Sequence, residues 1–314
     1  MNTHSMQKLY LSVAQNGPLC VGLDTDPSYL PESVLKAYET PAQAVLAYNK
    51  AIIKRIAPSK DSAGLAGCCK VQIAYYEAMG LEGLSVYAET LKAVKEAGLP
   101  VIADIKRGDI AATADAYAKA HFSGDFEADI ITINPYMGFD TLKPFSKWAT
   151  PENGGKGAFV LLCTSNPGMV DIEHQKLEDG SLLLEKVGNE IDRIGNEFKE
   201  FYPDQKCGVF GAVVGATQEE DARTLRDKYK DTFFLIPGYG AQGGAARIAA
   251  TLLDHAGGTV NSSRGILTAW KKSEALAQKI AENTLTIDDI ADAAAQASAA
   301  AKEDLLNAVA LLKN

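Results

Sequence analysis

The 314-residue sequence contains little cysteine or histidine, and neither residue type forms a recognisable site. The five cysteines lie within or beside apolar segments and have no Cys-x-x-Cys spacing, so we interpret them as reduced core residues. They are Cys20, Cys68, Cys69, Cys163 and Cys207. The four histidines show no metal-ligand spacing, and we expect no metal site. They are His4, His121, His174 and His255.

Long apolar runs and an excess of positive charge are also missing. No segment approaches 18 consecutive apolar residues, and Met1–Gln7 is polar, so the sequence predicts a cytosolic protein without a transmembrane helix. The net charge of −9 and the pI near 5.1 argue against nonspecific binding to nucleic acid or to an anionic membrane. An anionic substrate would therefore be bound by local Lys and Arg side chains.

What the sequence does contain is a regular alternation of short apolar segments with amphipathic ones, which predicts a parallel β-sheet with helical connections. The strand candidates are Leu19–Asp24, Cys68–Ala74, Pro100–Ile105, Asp129–Asn134, Ala158–Cys163, Gly208–Val214, Thr232–Ile236 and Gly258–Ser262. The helix candidates between them are Pro41–Ile56, Gly83–Glu96, Ile110–His121, Leu182–Phe201, Gln218–Lys228 and Gly243–His255. Nearly continuous apolarity in each strand indicates burial on both faces.

Eight such units fit either a closed (β/α)8 barrel or a doubly wound open sheet, and their compact spacing favours the TIM barrel. We expect residues 1–314 to form a single α/β domain. Two additions depart from the regular repeat: a loop insertion after strand 5, over Asn166–Gly180, and a closing C-terminal helix over Ile290–Leu312.

The most informative segment runs from Asp104 to Ile110 and follows the apolar run Leu99–Ala103. Side chains alternate along a strand, so Asp104 and Lys106 share one face, and Asp109 follows where the strand turns towards a helix. Charges at the end of a buried strand are costly unless they are paired. Two carboxylates flanking one lysine would keep it protonated and ready to donate a proton. The alternative is a surface cluster of ion pairs.

Polar residues stand at the ends of other predicted strands. Asp24 ends strand 1, where it either accepts hydrogen bonds from sugar hydroxyls or simply caps a turn. Lys70 lies within the apolar strand 2, an expensive position, and we expect it to reach a carboxylate such as Asp104. Ser165 follows strand 5 and could contact an amide-like ring edge, although turn chemistry explains this segment equally well.

Glycine-rich segments follow strands 7 and 8, at Pro237–Gly244 and Asn261–Gly265. Glycines allow backbone N–H groups to approach an anion, and these two loops form the usual phosphate site of TIM barrels. Arg264 would contact phosphate oxygens in a bidentate manner. We therefore predict phosphate binding here, with ordinary turns as the alternative.

Together these segments resemble the orotidine 5′-phosphate decarboxylases in their longer bacterial form, the type 2 subfamily. The matching segments are Gly22–Asp24, Lys70, Asp104–Ile110 with Thr113, Thr164–Pro167, Pro237–Gly240 with Gln242, and Ser263–Gly265. The short pattern Asp-x-Lys-x-x-Asp is shared with sugar-phosphate decarboxylases and aldolases of the same superfamily. The insertion and the C-terminal extension have no counterpart in short family members.

The resemblance implies a homodimeric barrel that decarboxylates orotidine 5′-monophosphate to uridine 5′-monophosphate without a cofactor. It implies that Asp104 lies beside the leaving carboxylate and that Lys106 protonates C6. It further implies that Asp109, Ile110 and Thr113 reach into the active site of the partner subunit.

The same resemblance implies which residues bind the nucleotide. Asp24 and Lys70 would hold the ribose hydroxyls, and Ser165 would contact the pyrimidine. Gln242 and Arg264 would bind the phosphate. Pro237 and Gly265 are the further substrate-binding candidates, and they lie in the segments that contain Gln242 and Arg264.

Two other functions remain open at this point. One is a metal-assisted decarboxylase or aldolase that acts on a keto-sugar phosphate. The other is a noncatalytic barrel that senses pyrimidine nucleotides. The group formed by Lys106, Asp104 and Asp109 argues against the sensor, because binding alone does not require a proton donor flanked by carboxylates.

Overall fold

Eight parallel strands form a closed barrel, in which each strand pairs with the next and the last pairs with the first. The computed structural model describes residues 2–215, 219–239 and 243–313. The strands are β1 Leu19–Gly22, β2 Cys68–Gln72, β3 Val101–Arg107, β4 Ile130–Ile133, β5 Gly157–Cys163, β6 Phe210–Val214, β7 Phe234–Ile236 and β8 Gly258–Ser262. The predicted TIM barrel is therefore confirmed, and the open sheet is excluded.

Helices connect the strands and surround the barrel. In the described part of the chain they are α1 Ser5–Asn16, α2 Glu32–Leu35, α3 Pro41–Ile56, α4 Ile73–Glu77, α5 Gly80–Glu96, α6 Ala111–Phe122, α7 Lys143–Ser146, α8 Leu183–Glu197, α9 Glu219–Lys228, α10 Gly243–Leu252, α11 Arg264–Leu267, α12 Ala277–Ala281 and α13 Ile287–Lys313. None of these helices is both long enough and apolar enough to cross a membrane.

Four strands end at a different residue from the predicted one: β1 ends at Gly22 rather than Asp24 and β4 at Ile133 rather than Asn134, and β2 and β3 also differ. β2 ends at Gln72 rather than Ala74, because the Gln72 side chain accepts a hydrogen bond from Ala74 N at 3.2 Å and caps α4. β3 continues to Arg107, two residues beyond the predicted end at Ile105.

The barrel interior is apolar at its N-terminal end and polar at its C-terminal end. Cys68, Ile102 and Ile130 belong to a buried apolar cluster that also contains interior residues of other strands. Two residues further along β2 and β3, on the same faces, stand Lys70 and Asp104. On each of these two strands, an apolar interior residue is followed two positions later by a charged one. The two charged side chains therefore lie together at the carboxyl ends of the strands.

The N-terminal end of the barrel is closed by α1, a helix that the sequence analysis did not predict. Met6 and Leu9 are fully buried and belong to the interior cluster. A Cβ at Gly157 would lie 2.8 Å from Met6 Cγ, so a small residue on β5 leaves room for this side chain. The polar segment Met1–Gln7 concealed a helix that begins at Ser5.

The two predicted additions are both present. Residues 166–180 include a short 3₁₀ helix at Pro167–Asp171, and Lys176 forms a β-bridge with Leu182 just beyond this range. The C-terminal helix is longer than predicted and packs against α3 and α10. That all of the chain forms one domain stays a prediction.

Candidate active site

The centre of the site is the carboxylate of Asp104, which accepts hydrogen bonds from three side chains. Lys70 Nζ contacts its Oδ2 at 2.9 Å, whereas Lys106 Nζ contacts Oδ1 at 2.7 Å. Thr132 Oγ1 donates to the same Oδ1 at 2.8 Å. Asp104 and Lys70 are both buried, so their ion pair is shielded from water, and the predicted contact between them is present.

Burial and pairing act in opposite directions on these charges. Burial alone would raise the pKa of Asp104, but Lys70 and Lys106 together hold that pKa well below its usual range. Burial would likewise lower the pKa of Lys70, but Asp104 and Asp24 raise it above the ordinary lysine value. Lys70 and Asp104 are therefore both charged at neutral pH.

Asp24 extends this network towards β8. Its Oδ1 accepts from Lys70 Nζ at 2.9 Å, and its Oδ2 accepts from Ser263 Oγ at 2.7 Å. Ser263 Oγ in turn accepts from Asn261 Nδ2 at 3.1 Å. A Cβ at Gly22 would lie only 1.9 Å from Ser263 Oγ, so a glycine is needed there for β1 and β8 to approach. Asp24 is thus part of a charged network rather than only a turn cap.

A cavity of about 240 Å³ opens beside this network. Among the predicted site residues, Lys70, Asp104, Lys106, Ser165 and Pro237 line it. Its floor is apolar, because interior residues of β5, β6 and β7 contribute aliphatic side chains. No three His, Cys, Asp or Glu side chains come close enough to hold a metal ion anywhere in the residues that the structure describes.

The segment after β3 does not complete the site within one chain. Asp109 Oδ1 accepts a hydrogen bond from Ile110 N at 2.7 Å, and no ion pair joins Asp109 to Lys106 in the described residues. The expectation that two carboxylates flank Lys106 therefore fails for a single chain, since the strand ends and the backbone turns before Asp109. Ile110 and Thr113 are exposed.

The predicted phosphate-binding residues lie around the rim. Arg264 begins α11 directly after β8 and is exposed, as is Gly265. Neither is among the described residues that line the cavity. Gln242 lies outside the described residues.

The insertion after β5 reaches back to the site through Glu173. Its Oε2 accepts from Thr164 N at 2.8 Å and its Oε1 accepts from Thr164 Oγ1 at 2.6 Å. Thr164 directly precedes Ser165 and also lines the cavity. The insertion, which had no role at the level of sequence, thus anchors the turn that carries Ser165.

Sequence reasoning missed Thr132, Ser263 and Asn261 as members of the network. For Thr132 a signal existed, because a hydroxyl interrupts the apolar run Ile130–Ile133 on the face that points inward. For Ser263 and Asn261 the signal was their place at the end of β8, but the contact of Ser263 with Asp24, which follows β1, depends on closure of the barrel.

Comparison with known proteins gives one family. The model of the orotidine 5′-phosphate decarboxylase / HUMPS family matches residues 17–279. The chain is 50% identical to an orotidine 5′-phosphate decarboxylase of Clostridium botulinum over 85% of this chain and 90% of that relative. It is 46% identical to one from Clostridium kluyveri, over 86% and 89%. The structure of Leishmania donovani OMP decarboxylase is 30% identical, with a TM-score of 0.64, over 90% of this chain and 99% of that one.

The buried ion pairs predict the effect of removing Lys70. Lys70→Met keeps the side-chain volume but leaves Asp104 and Asp24 without their shared partner, so the free energy of unfolding should fall by about 3–5 kcal/mol. Urea unfolding at pH 7 measures this loss. The control is Lys50→Met, because the ion pair of Lys50 with Glu89 is about half exposed and is worth at most about 1 kcal/mol.

The loss should depend on pH. In the wild type the depressed pKa of Asp104 stabilises the folded state fully at pH values above the ordinary carboxyl pKa. This stabilisation is lost as the pH falls from that value through the lower pKa that Asp104 has in the folded state. In Lys70→Met the carboxylate has lost its buried partner and is protonated more readily. The difference between variant and wild type should therefore shrink below about pH 4. Equal losses for Lys70→Met and Lys50→Met would contradict this account.

Proposed function

The chain belongs to the orotidine 5′-phosphate decarboxylase / HUMPS family, and we propose that it converts orotidine 5′-monophosphate into uridine 5′-monophosphate and CO₂ without a cofactor. This reaction is the last step of UMP biosynthesis, which we assign to the cytoplasm. The observation that carries the proposal is the ammonium of Lys106, held 2.7 Å from Asp104 Oδ1 in a cavity whose floor is aliphatic. An ammonium in that position can donate a proton to a carbanion.

The chemistry requires such a charge. When the C6–carboxylate bond breaks, its electron pair stays on C6 in an orbital that the ring π system does not delocalise. The proton moves from Lys106 Nζ to C6 as CO₂ leaves, and the lysine then regains a proton from water. Lys106 is held before the reaction begins, so it stabilises the developing charge without reorganisation.

One ammonium does not account for the whole rate enhancement. Two unit charges about 4 Å apart interact by ~4 kcal/mol at an effective dielectric constant of 20, which is about three powers of ten in rate. Binding energy from the ribose and the phosphate must supply more by orienting the substrate. We assign the ribose hydroxyls to Asp24 and Lys70, and the pyrimidine to Ser165.

We assign the phosphate to the rim formed by the segments after β7 and β8. Arg264 is exposed there, with its guanidinium available to an anion at the carboxyl end of the barrel. Pro237 and Gly265 belong to the same two segments, and Gln242 is included on the family resemblance alone. These local groups would bind an anion despite the net charge of −9.

We further propose that the protein is a homodimer with shared active sites. Large apolar side chains are exposed beside the site: Ile110 at 53%, Tyr136 at 76% and Met137 at 51%. The segment after β3, which contains Ile110, contacts the segment after β4, which contains Tyr136 and Met137, since a Cβ at Gly108 would lie 2.8 Å from Asn134 O. An apolar surface of this kind favours a protein partner. A second copy would cover it and bring its own Asp109, Ile110 and Thr113 to the site.

Direct assay tests the reaction. Mixing the protein with orotidine 5′-monophosphate should change the ultraviolet absorbance as uridine 5′-monophosphate forms.

Exhaustive treatment with a strong chelator should leave the rate unchanged, because Lys106 supplies the positive charge. Loss of activity that Mg²⁺ restores would instead favour the metal-assisted keto-sugar-phosphate enzyme, and binding without turnover would favour the nucleotide sensor.

The assignment of Lys106 predicts a selective loss. Lys106→Ala should retain affinity for uridine 5′-monophosphate while turnover falls more than about a hundredfold, a cost above ~2.7 kcal/mol. Steady-state kinetics and product binding measure the two effects. The control is Lys36→Ala, which removes an exposed lysine on the surface. Turnover above about a hundredth of the wild-type value would exclude Lys106 as the proton donor.

The shared site predicts complementation between two inactive variants. Lys106→Ala and Asp109→Ala lose different groups, so in a mixed dimer one site has both defects and the other has neither. Random re-association of equal amounts makes about half of the dimers mixed, and about a quarter of all sites should then be active. Activity after co-refolding measures this. If mixed dimers form without activity, Asp109 acts within its own subunit.

A further inference from the structure

Thr132 lies on β4 opposite an irregular stretch of β3. Ala103 pairs with Ile131 and Arg107 pairs with Ile133, so β3 has two more residues than β4 between these pairs. Extra residues of this kind interrupt the hydrogen bonds between strands and bend the strand that contains them. The backbone groups of this stretch therefore need another partner.

The hydroxyl group of Thr132 is that partner. Its Oγ1 accepts hydrogen bonds from Ile105 N at 3.0 Å and from Lys106 N at 2.9 Å. A hydroxyl has one proton and two acceptor positions, so its proton is directed to Asp104 Oδ1, which lies 2.8 Å away. One buried oxygen atom thus holds the backbone of Lys106 and the carboxylate of Asp104 together.

The backbone of Lys106 needs this support. Its φ is +46°, in the left-handed region that residues other than glycine rarely adopt. The bond from Lys106 N to Thr132 Oγ1 opposes relaxation to an extended conformation, which would turn the side chain away from Asp104. A strained conformation of this kind persists only where neighbouring groups impose it.

We propose that Thr132 is a positioning residue for the decarboxylation. Its hydroxyl keeps Lys106 in the left-handed conformation and directs the ammonium and the Asp104 carboxylate into the cavity. Thr132 acts through these two residues and not through a proton of its own. The inference rests on the proposed function, because it gives Thr132 a role in the reaction that Lys106 carries out.

Thr132→Val tests the inference, since it keeps the shape of the side chain but removes both acceptor positions and the donor. Thr132→Ser retains the hydroxyl and should restore activity. The matched control is Thr259→Val on β8, because Thr259 is equally buried and its Oγ1 donates to Pro18 O at 2.9 Å, away from the charged network. The two valine variants thus each lose a buried hydroxyl from the same barrel.

We expect the kcat of Thr132→Val to fall about 10- to 100-fold, as small misplacements of reacting groups do, with little change in affinity for uridine 5′-monophosphate. Thr132→Ser and Thr259→Val should retain kcat near the wild-type value. A merely structural role would instead lower the folded fraction of both valine variants and leave kcat per folded site unchanged. A kcat in Thr132→Val equal to that of Thr259→Val would overturn the inference.

Should valine at this position prevent folding, Thr132→Cys provides a second variant, because a thiol is a weaker donor and acceptor. Its kcat should be clearly below that of Thr132→Ser, and a full wild-type kcat would overturn the inference. The wild type is measured in the same assay. An inactive wild type would overturn the proposed function as well, whereas an active wild type with an equally active Thr132→Val overturns the role of Thr132 alone.

Discussion

The structure of the site depends on one buried carboxylate. Asp104 is surrounded by two ammonium groups and a hydroxyl, and each of the three reaches it from a different direction. A lone charge at this depth would cost several kcal/mol, and removing one partner would leave another charge uncompensated. The network therefore holds its members in place mutually. The side chain of Lys106 is held beside Asp104 by this network before any reaction begins.

The barrel makes this arrangement possible through its alternation of side chains. Interior positions near the N-terminal end are apolar and are covered by α1, whereas the next interior positions on β2 and β3 are the charged residues Lys70 and Asp104. Low polarity beneath the network strengthens every interaction within it. The same geometry explains how an acidic protein can bind an anionic nucleotide. Lys70, Lys106 and Arg264 lie at the carboxyl end of the barrel, where positive side chains can attract an anion locally despite the negative net charge.

Segments outside the strands also contribute to this end of the molecule. Glu173 in the insertion holds the turn that contains Ser165 through its hydrogen bonds with Thr164. Large apolar side chains are exposed beside β3 and β4. Asp109 forms no ion pair with Lys106 in the described residues, and its carboxylate instead accepts a hydrogen bond from Ile110 N. Loops thus surround the site, whereas the strands hold Lys70, Asp104 and Lys106 at its centre.

The sequence by itself determined the fold class, the order of the strands and the segment that contains Lys106, because alternation and strand-end charges are local patterns. It also predicted the pair between Lys70 and Asp104, since a lysine in an apolar strand needs a partner. Only the tertiary structure decided what surrounds them. The register shift between β3 and β4, the left-handed backbone at Lys106 and the hydroxyl of Thr132 that supports it all depend on how two strands meet, and that pairing connects residues far apart in the chain.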